Sequence, residues 1–109
     1  MAYTFKLKTK ANVGVTTVGI YTAPAATTTV VIGITMANTS GSGVNVGVGI
    51  TRAGTTEDIK LLKNAPLPQG SSLEFMAGNK VVLEATDTLT VDSDTNNSVD
   101  AALTIMEIT

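Results

Sequence analysis

The segment Val44-Asn45-Val46-Gly47-Val48-Gly49-Ile50 alternates large apolar residues with small or polar ones without a break. Successive side chains of a strand point to opposite faces, so Val44, Val46, Val48 and Ile50 share one face that must be buried, while Gly47 and Gly49 fall on the other. A glycine-rich run such as Ser40 to Ile50 can also cradle phosphate. That chemistry needs glycines in an irregular turn that opens a helix, followed by Lys and Ser/Thr or by a carboxylate on a second strand. Here β-branched residues alternate straight through, and the segment is a strand.

The same period of two, carried by Val, Ile and Thr, recurs along the chain. It predicts strands at about Tyr3–Lys8, Val13–Tyr21, Thr28–Ala37, Val44–Arg52, Asp58–Leu62, Ser72–Met76, Lys80–Glu84, Thr88–Asp92 and Val99–Ile108. Breakers separate them: Ala23 to Ala26, Asn38 to Gly43, Ala53 to Thr56, Ala65 to Gly70, Ala77 to Asn79 and Ser93 to Ser98. Thr56 could cap a helical turn before Glu57 and Asp58, but the stretch is read as a strand. Short strands joined by regular turns make the chain all-β, an antiparallel β-sandwich or jelly-roll-like body of about eight or nine strands. One domain over residues 1–109 is expected, with residues 1–12 as an N-terminal edge strand or arm.

Composition removes whole classes of chemistry. The chain has neither histidine nor cysteine, which excludes Ser/His/Asp and Cys/His nucleophile systems, imidazole bases and zinc held by nitrogen and sulfur. Seven basic residues and a net charge of −2 give little grip on a phosphate backbone, and nucleic acid is not an expected partner. The four aromatics, Tyr3, Phe5, Tyr21 and Phe75, are too few for a base-stacking or sugar platform. No apolar run reaches the length of a membrane span, and the first residues lack a signal peptide's apolar core. No enzyme activity and no cofactor are expected.

Candidate sites are therefore candidate interfaces. In the strand before Val44, the alternation puts Val30, Ile32, Ile34 and Met36 on one face and Val31, Gly33, Thr35 and Ala37 on the other. If Asn38 to Gly43 closes a hairpin, Met36 faces Val44 or Val46, and either register sets Gly33 opposite Gly47 or Gly49. That pairing predicts a stripe of bare backbone, which would either let the sheet bend or receive another subunit. Lys6, Lys8 and Lys10 share one face of the first strand, with Phe5 and Leu7 on the other. They would blunt an exposed edge or dock on an acidic neighbour. Leu67, between Pro66 and Pro68 in a stiff corner, could be a contact knob.

Acidic residues offer weaker candidates. Asp92, Asp94 and Asn96 begin like a calcium loop, but Asn97 stands where the sharp-turn glycine belongs and Leu103 where the closing Glu belongs, so no metal is expected. Glu57 with Asp58, and Glu84 with Asp87, read as solvated turn residues.

The run IYTAPAATTTVVIGITMANTSGSGVNVGVGITRAG, followed by LLKNAPLPQGSSLEFMAGNKVVLEATDTLTVDS and a last strand ending in MEI, resembles small all-β virion proteins of tailed bacteriophages. The resemblance covers about Ile20 to Ile108, and the Lys-rich first strand lies outside it. It implies a structural role in the virion, assembled in the host cytoplasm, as a capsid decoration (cement) protein or a neck or tail component. The implied partners are further copies of the chain, with a trimer as one arrangement, and the major capsid or other virion proteins. It carries over no catalytic residue. A carbohydrate- or host-surface-binding sandwich is the remaining alternative.

Overall fold

The computed structural model describes residues 2–54, 57–75 and 81–109. Nine strands run through them: β1 (Tyr3–Val13), β2 (Val18–Thr22), β3 (Thr28–Asn38), β4 (Val44–Arg52), β5 (Glu57–Leu67), β6 (Ser72–Phe75), β7 (Val81–Leu83), β8 (Thr88–Ser93) and β9 (Val99–Ile108). All pairings are antiparallel. One sheet has the order β1-β9-β3-β6, with β7 also beside β3; the other has the order β2-β8-β4-β5. The chain thus crosses between sheets after β1, β2 and β3, turns back through the β4–β5 hairpin, and retraces its path through β6/β7, β8 and β9. A long antiparallel ribbon wrapped in this way is a jelly roll.

The inward rows of the two sheets make the core. β4 contributes Val44, Val46, Val48 and Ile50, and β9 contributes Val99, Ala101, Leu103 and Ile105, all buried. Tyr21, Val31, Ile34, Met36, Leu83, Leu89 and Val91 fill the layer between them.

The ribbon overturns the β3–β4 hairpin. Those strands lie in different sheets: β3 pairs with β9, β6 and β7, whereas β4 pairs with β8 and β5. Asn38 to Gly43 is a crossing between layers, and Gly33 faces Thr104 of β9 instead of a glycine. β3 also does not keep one alternation. A bulge between Val31 and Gly33 switches the faces, so Val31 and Ile34 are both in the core while Val30 and Ile32 are half-buried.

Other boundaries shift for local reasons. β1 continues past a bulge to Val13, so the expected strand from Val13 begins only at Val18. β5 runs on through Pro66, which sits opposite Asn45 on the outermost strand of its sheet. An edge strand tolerates proline, because one side of its backbone needs no ladder partner. The corner is confined to the residues after Leu67, and Leu67 itself is a core residue, 2% exposed, not a surface knob. The expected readings at Thr55, Thr56, Met76, Ala77 to Asn79 and Lys80 lie outside the described residues.

Asn38 secures the crossing that the hairpin reading misplaced. Its buried side chain donates to the carbonyls of Ser42 (2.8 Å) and Leu67 (2.9 Å), and its Oδ1 accepts from the Ser40 amide (2.9 Å) and hydroxyl (2.7 Å). One amide so ties the end of β3 to the end of β5. Asn38→Ala should lower unfolding free energy by about 2–3 kcal/mol, since buried carbonyls lose donors. Urea denaturation read by circular dichroism gives the value, and an unchanged midpoint would show that water replaces the side chain.

Candidate assembly surface

The strand alternation that fills the core also fixes what the five-stranded sheet shows outward. On β1 the outward row is Tyr3, Phe5, Leu7 and Thr9. These face Ile108, Met106, Thr104 and Ala102 across the ladder with β9. On β3 the row contains Val30, Gly33, Thr35 and Ala37, next to Val82 of β7 and Glu74 of β6. Tyr3, Phe5, Leu7 and Val82 are 62%, 69%, 66% and 54% exposed. Such a concentration of large apolar side chains on one face is the usual mark of an interaction surface. Among the described residues the outward rows carry only two charges, Glu74 and Asp100, and depletion of charge is the compositional signature of an interface centre.

The face is not uniform. The end holding Tyr3, Phe5, Leu7, Met106 and Ile108 is bulky. The other end is floored by small side chains and contains a hollow of about 350 Å3 lined by Thr9, Lys10, Thr35, Ala37, Asp100 and Ala102, among others.

Lys6 and Lys8 point the other way. β1 is an edge strand, and Lys6, Lys8 and Lys10 share the side of β1 that faces Ile105, Leu103 and Ala101. Lys6 Nζ lies 2.9 Å from Glu107 of its own chain, and Lys8 Nζ lies 6.0 Å from the centre of the Tyr21 ring. Lys6 and Lys8 close this end of the sandwich over a buried acid, while Lys10 also borders the hollow of the outer face. Glu107 continues the inward row of β9 at 6% exposure, and the Tyr21 hydroxyl donates to it at 2.5 Å while lying 2.9 Å from the Thr29 hydroxyl. No signal in the sequence alone paired Tyr21 with Glu107; inward alternation along β9 would have flagged the acid.

Electrostatics follow from this geometry. The Tyr21 bond, then Lys6, holds the Glu107 carboxyl below its ordinary range against the opposing effect of burial. Burial first, and the bond to Glu107 second, pushes the Tyr21 phenol up from 10.0 to about 12. Lys6 is 42% exposed, so solvent screens its share and the phenol bond is the stronger partner.

Gly47 and Gly49 are buried within their own sheet. They oppose Asp92 and Thr90 of β8, and the β4–β5 register slips on both sides of Val48. A Cβ on Gly49 would lie 2.8 Å from the Ile59 carbonyl oxygen, and one on Gly47 would lie 3.2 Å from that of Leu62. The close backbone that requires Gly49 is therefore β5 of the same chain, whereas a Cβ on Gly47 would first meet Asp92 Oδ1 of β8, at 2.5 Å. The bare stripe does not form: Gly33 lies half-buried in one sheet while Gly47 and Gly49 lie in the other.

The acidic loop is likewise engaged locally. Asp92 accepts from the Thr17 hydroxyl (3.0 Å), Asp94 from the Asn45 amide (3.1 Å) and Asn96 from the Val15 amide (3.4 Å). Asn97 adopts φ 52°, taking the left-handed turn in place of glycine. No cluster of three or more His, Cys, Asp or Glu that could hold a metal occurs among the described residues. Glu84 and Asp87 both bond Arg52, at 2.7 and 3.0 Å, and clamp the β7–β8 corner to the end of β4. Asp58 accepts from Thr51 (2.9 Å).

No family model matches the sequence, and no curated protein matches it. Solved structures do share the fold. A subunit of the Bacillus endospore appendages, described as disulfide-linked pili, superposes with a TM-score of 0.57 at 16% identity, over 99% of this chain and 87% of that one. A chain of the T13 particle of infectious bursal disease virus gives 0.58 at 15% identity, over 96% of this chain and 30% of that one. The VP2 subviral particle of the same virus gives 0.56 at 12% identity, with 96% and 32% covered. This chain spans about a third of the length of those virus chains. At such identities the likeness is one of fold: a jelly roll found in both a pilus subunit and an icosahedral shell.

Two measurements test the local chemistry. Gly49→Ala should destabilise by about 1–3 kcal/mol, because β5 must move to admit the methyl group; a neutral effect in urea denaturation would mean that β5 yields freely. The second concerns pH. A lowered Glu107 pKa contributes stability above the ordinary glutamate range that is lost as pH falls through the lowered value, and the raised Tyr21 pKa contributes stability below 10.0 that is lost as pH rises through about 12. Glu107→Gln should remove the acid limb of the stability–pH curve and lessen the alkaline one, which burial of Tyr21 still sustains; an acid limb as steep as in the wild type would place the titration elsewhere.

Proposed function

We propose that the chain is a structural subunit of a tailed-bacteriophage virion, a decoration (cement) protein that stabilises the shell through repeated contacts with its own copies and the major capsid protein. The observation that carries this reading is the outer face of the five-stranded sheet, broad, apolar and sparsely charged, on a jelly roll most of whose described acidic groups are engaged in local bonds. A body of this kind acts by being multiplied. A standard contact buries about 1,600 Å2 in total, and symmetry repeats it around a closed shell, so pressure from within is resisted without any single strong bond. The sequence resemblance to small virion proteins and the shell-forming relatives of the fold support it. A neck or tail position is the variant within the same reading.

A second reading is favoured by one specific observation, the near full-length correspondence with the pilus subunit. On that reading the chain is the repeating unit of a filament. Lacking cysteine, it would be joined by non-covalent contacts alone.

Mass spectrometry and electron microscopy of purified particles separate these outcomes. Decoration predicts on the order of hundreds of copies as regular density on the shell, a neck ring about a dozen or fewer, as closed symmetry requires. Particles lacking the protein should release their DNA at lower temperature than complete ones. Absence of the chain from particles, or spontaneous filaments of the purified protein, would overturn the virion reading.

A further inference from the structure

The outer face is not only apolar but shaped in two halves, and the halves match. Phe5, Leu7 and Met106 stand on the half near the start of β1 and the end of β9. The hollow of about 350 Å3 lies on the other half, floored by Ala37 and Ala102 and walled by Thr9 and Thr35. A two-fold axis lying between two such faces, perpendicular to the strands, reverses the strand direction. It lays the bulky half of each copy over the hollow half of the other, with β1 above β1 and β9 above β9. The alternative axis, parallel to the strands, would put bulk on bulk and hollow on hollow.

We propose that this face docks on the same face of a second copy of the chain, forming a two-fold sandwich-on-sandwich dimer in which Phe5 and Met106 of each copy enter the hollow of the other. The inference rests on the reading of the chain as a repeating structural subunit and names the contact through which copies meet.

Three features of the face favour a second copy over a different partner. An isologous contact must be self-complementary, and this face carries both the projection and the recess. Three strands about 4.8 Å apart and some ten residues long, with the short β6 and β7 sharing the fourth position, give a footprint of roughly 600 Å2 before side-chain relief is counted, below the ~800 Å2 per partner of a standard interface but of its order. Charge also permits self-contact. Lys6 and Lys8 sit on the inward side of β1, and the two-fold carries Lys10, Asp100 and Glu74 of one copy to the end of the face away from their mates. The Asp100 carboxylate is already engaged with the Asn12 amide at 3.0 Å. Two sheets in face contact would cross at about 30°, as sheets do within a sandwich.

Sedimentation equilibrium of the purified full chain tests the contact. The wild type should dimerise reversibly, with little dependence on salt because few charges meet. Phe5→Asp should weaken the dimer on the order of ten-fold or more, as loss of a central aromatic anchor does. Ala102→Phe should weaken it as strongly by filling the hollow from within. Both positions are outward, so circular dichroism should show an intact fold. Val15→Asp, at another exposed apolar residue, should leave the dimer unchanged. A wild type that stays monomeric at all concentrations, or an oligomer indifferent to both face variants, would overturn the proposal. A dimer that added salt dissolves as readily would overturn it in favour of the basic edge. Particle composition is read separately, so loss of the virion reading and loss of the dimer give different results.

Discussion

The inward row of β9 is the constraint on which the rest of the structure depends. Val99, Ala101, Leu103 and Ile105 lie at 0–3% exposure between the rows of β1 and β3, and they meet the opposite sheet across the core. Because side chains alternate, committing these four to the interior commits Ala102, Thr104, Met106 and Ile108 to the outside. Core and assembly face are thus two consequences of one register. A one-residue slip of β9 would exchange them, exposing the leucine and isoleucine and burying Asp100 and Thr104, which is why the register is strongly specified.

The same alternation explains the acid at the end of β9. Glu107 continues the inward row to the end of the strand, where the two sheets part. A carboxylate there is costly unless its oxygens are bonded, and Tyr21 from the opposite sheet and Lys6 from the edge strand supply the donors. The resulting contact joins β1, β2 and β9, and so ties the first strand, which contributes only Val13 to the core, to both layers. The lysines of β1 therefore hold the edge strand in place as well as blunting the edge.

Strand positions and the all-β sandwich were legible in the sequence, because β-branched alternation is a local signal and each strand had to be half-buried. The closing strand and β4 are found at the expected residues. Pairing was not legible, since the wrapped ribbon joins strands far apart in the chain and separates neighbours such as β3 and β4. The even-register rule is sound for strands that share a sheet; it has no force across a crossing, and the β3 bulge at Ile32 erases the alternation it relied on. Leu67 was misread for a related reason: prolines suggest a corner, but an edge strand needs only half of its backbone bonds. The glycines were read as a place for the sheet to bend or for another subunit to lie; the backbone that approaches Gly49 is β5 of the same chain, brought there by bulges that no composition reveals.

Phe5 and Leu7 show most clearly how a face can escape a sequence reading. On a strand bearing lysines on one side and apolar residues on the other, hydrophobicity alone would turn the apolar side inward. Here β1 is turned the opposite way, because β9 dictates its facing and because the lysine side meets Glu107 at the rim of the sandwich. The large apolar side chains are consequently left outside, at a real cost in exposed surface. That cost, of the order of 1.5–3 kcal/mol for each fully exposed large side chain, is recovered only when something covers them. Lysines along the edge oppose extension of the sheet by strand addition, while the bare outer face invites stacking. Edge and face act together: the same strand that discourages lateral pairing presents the projections for contact through the face.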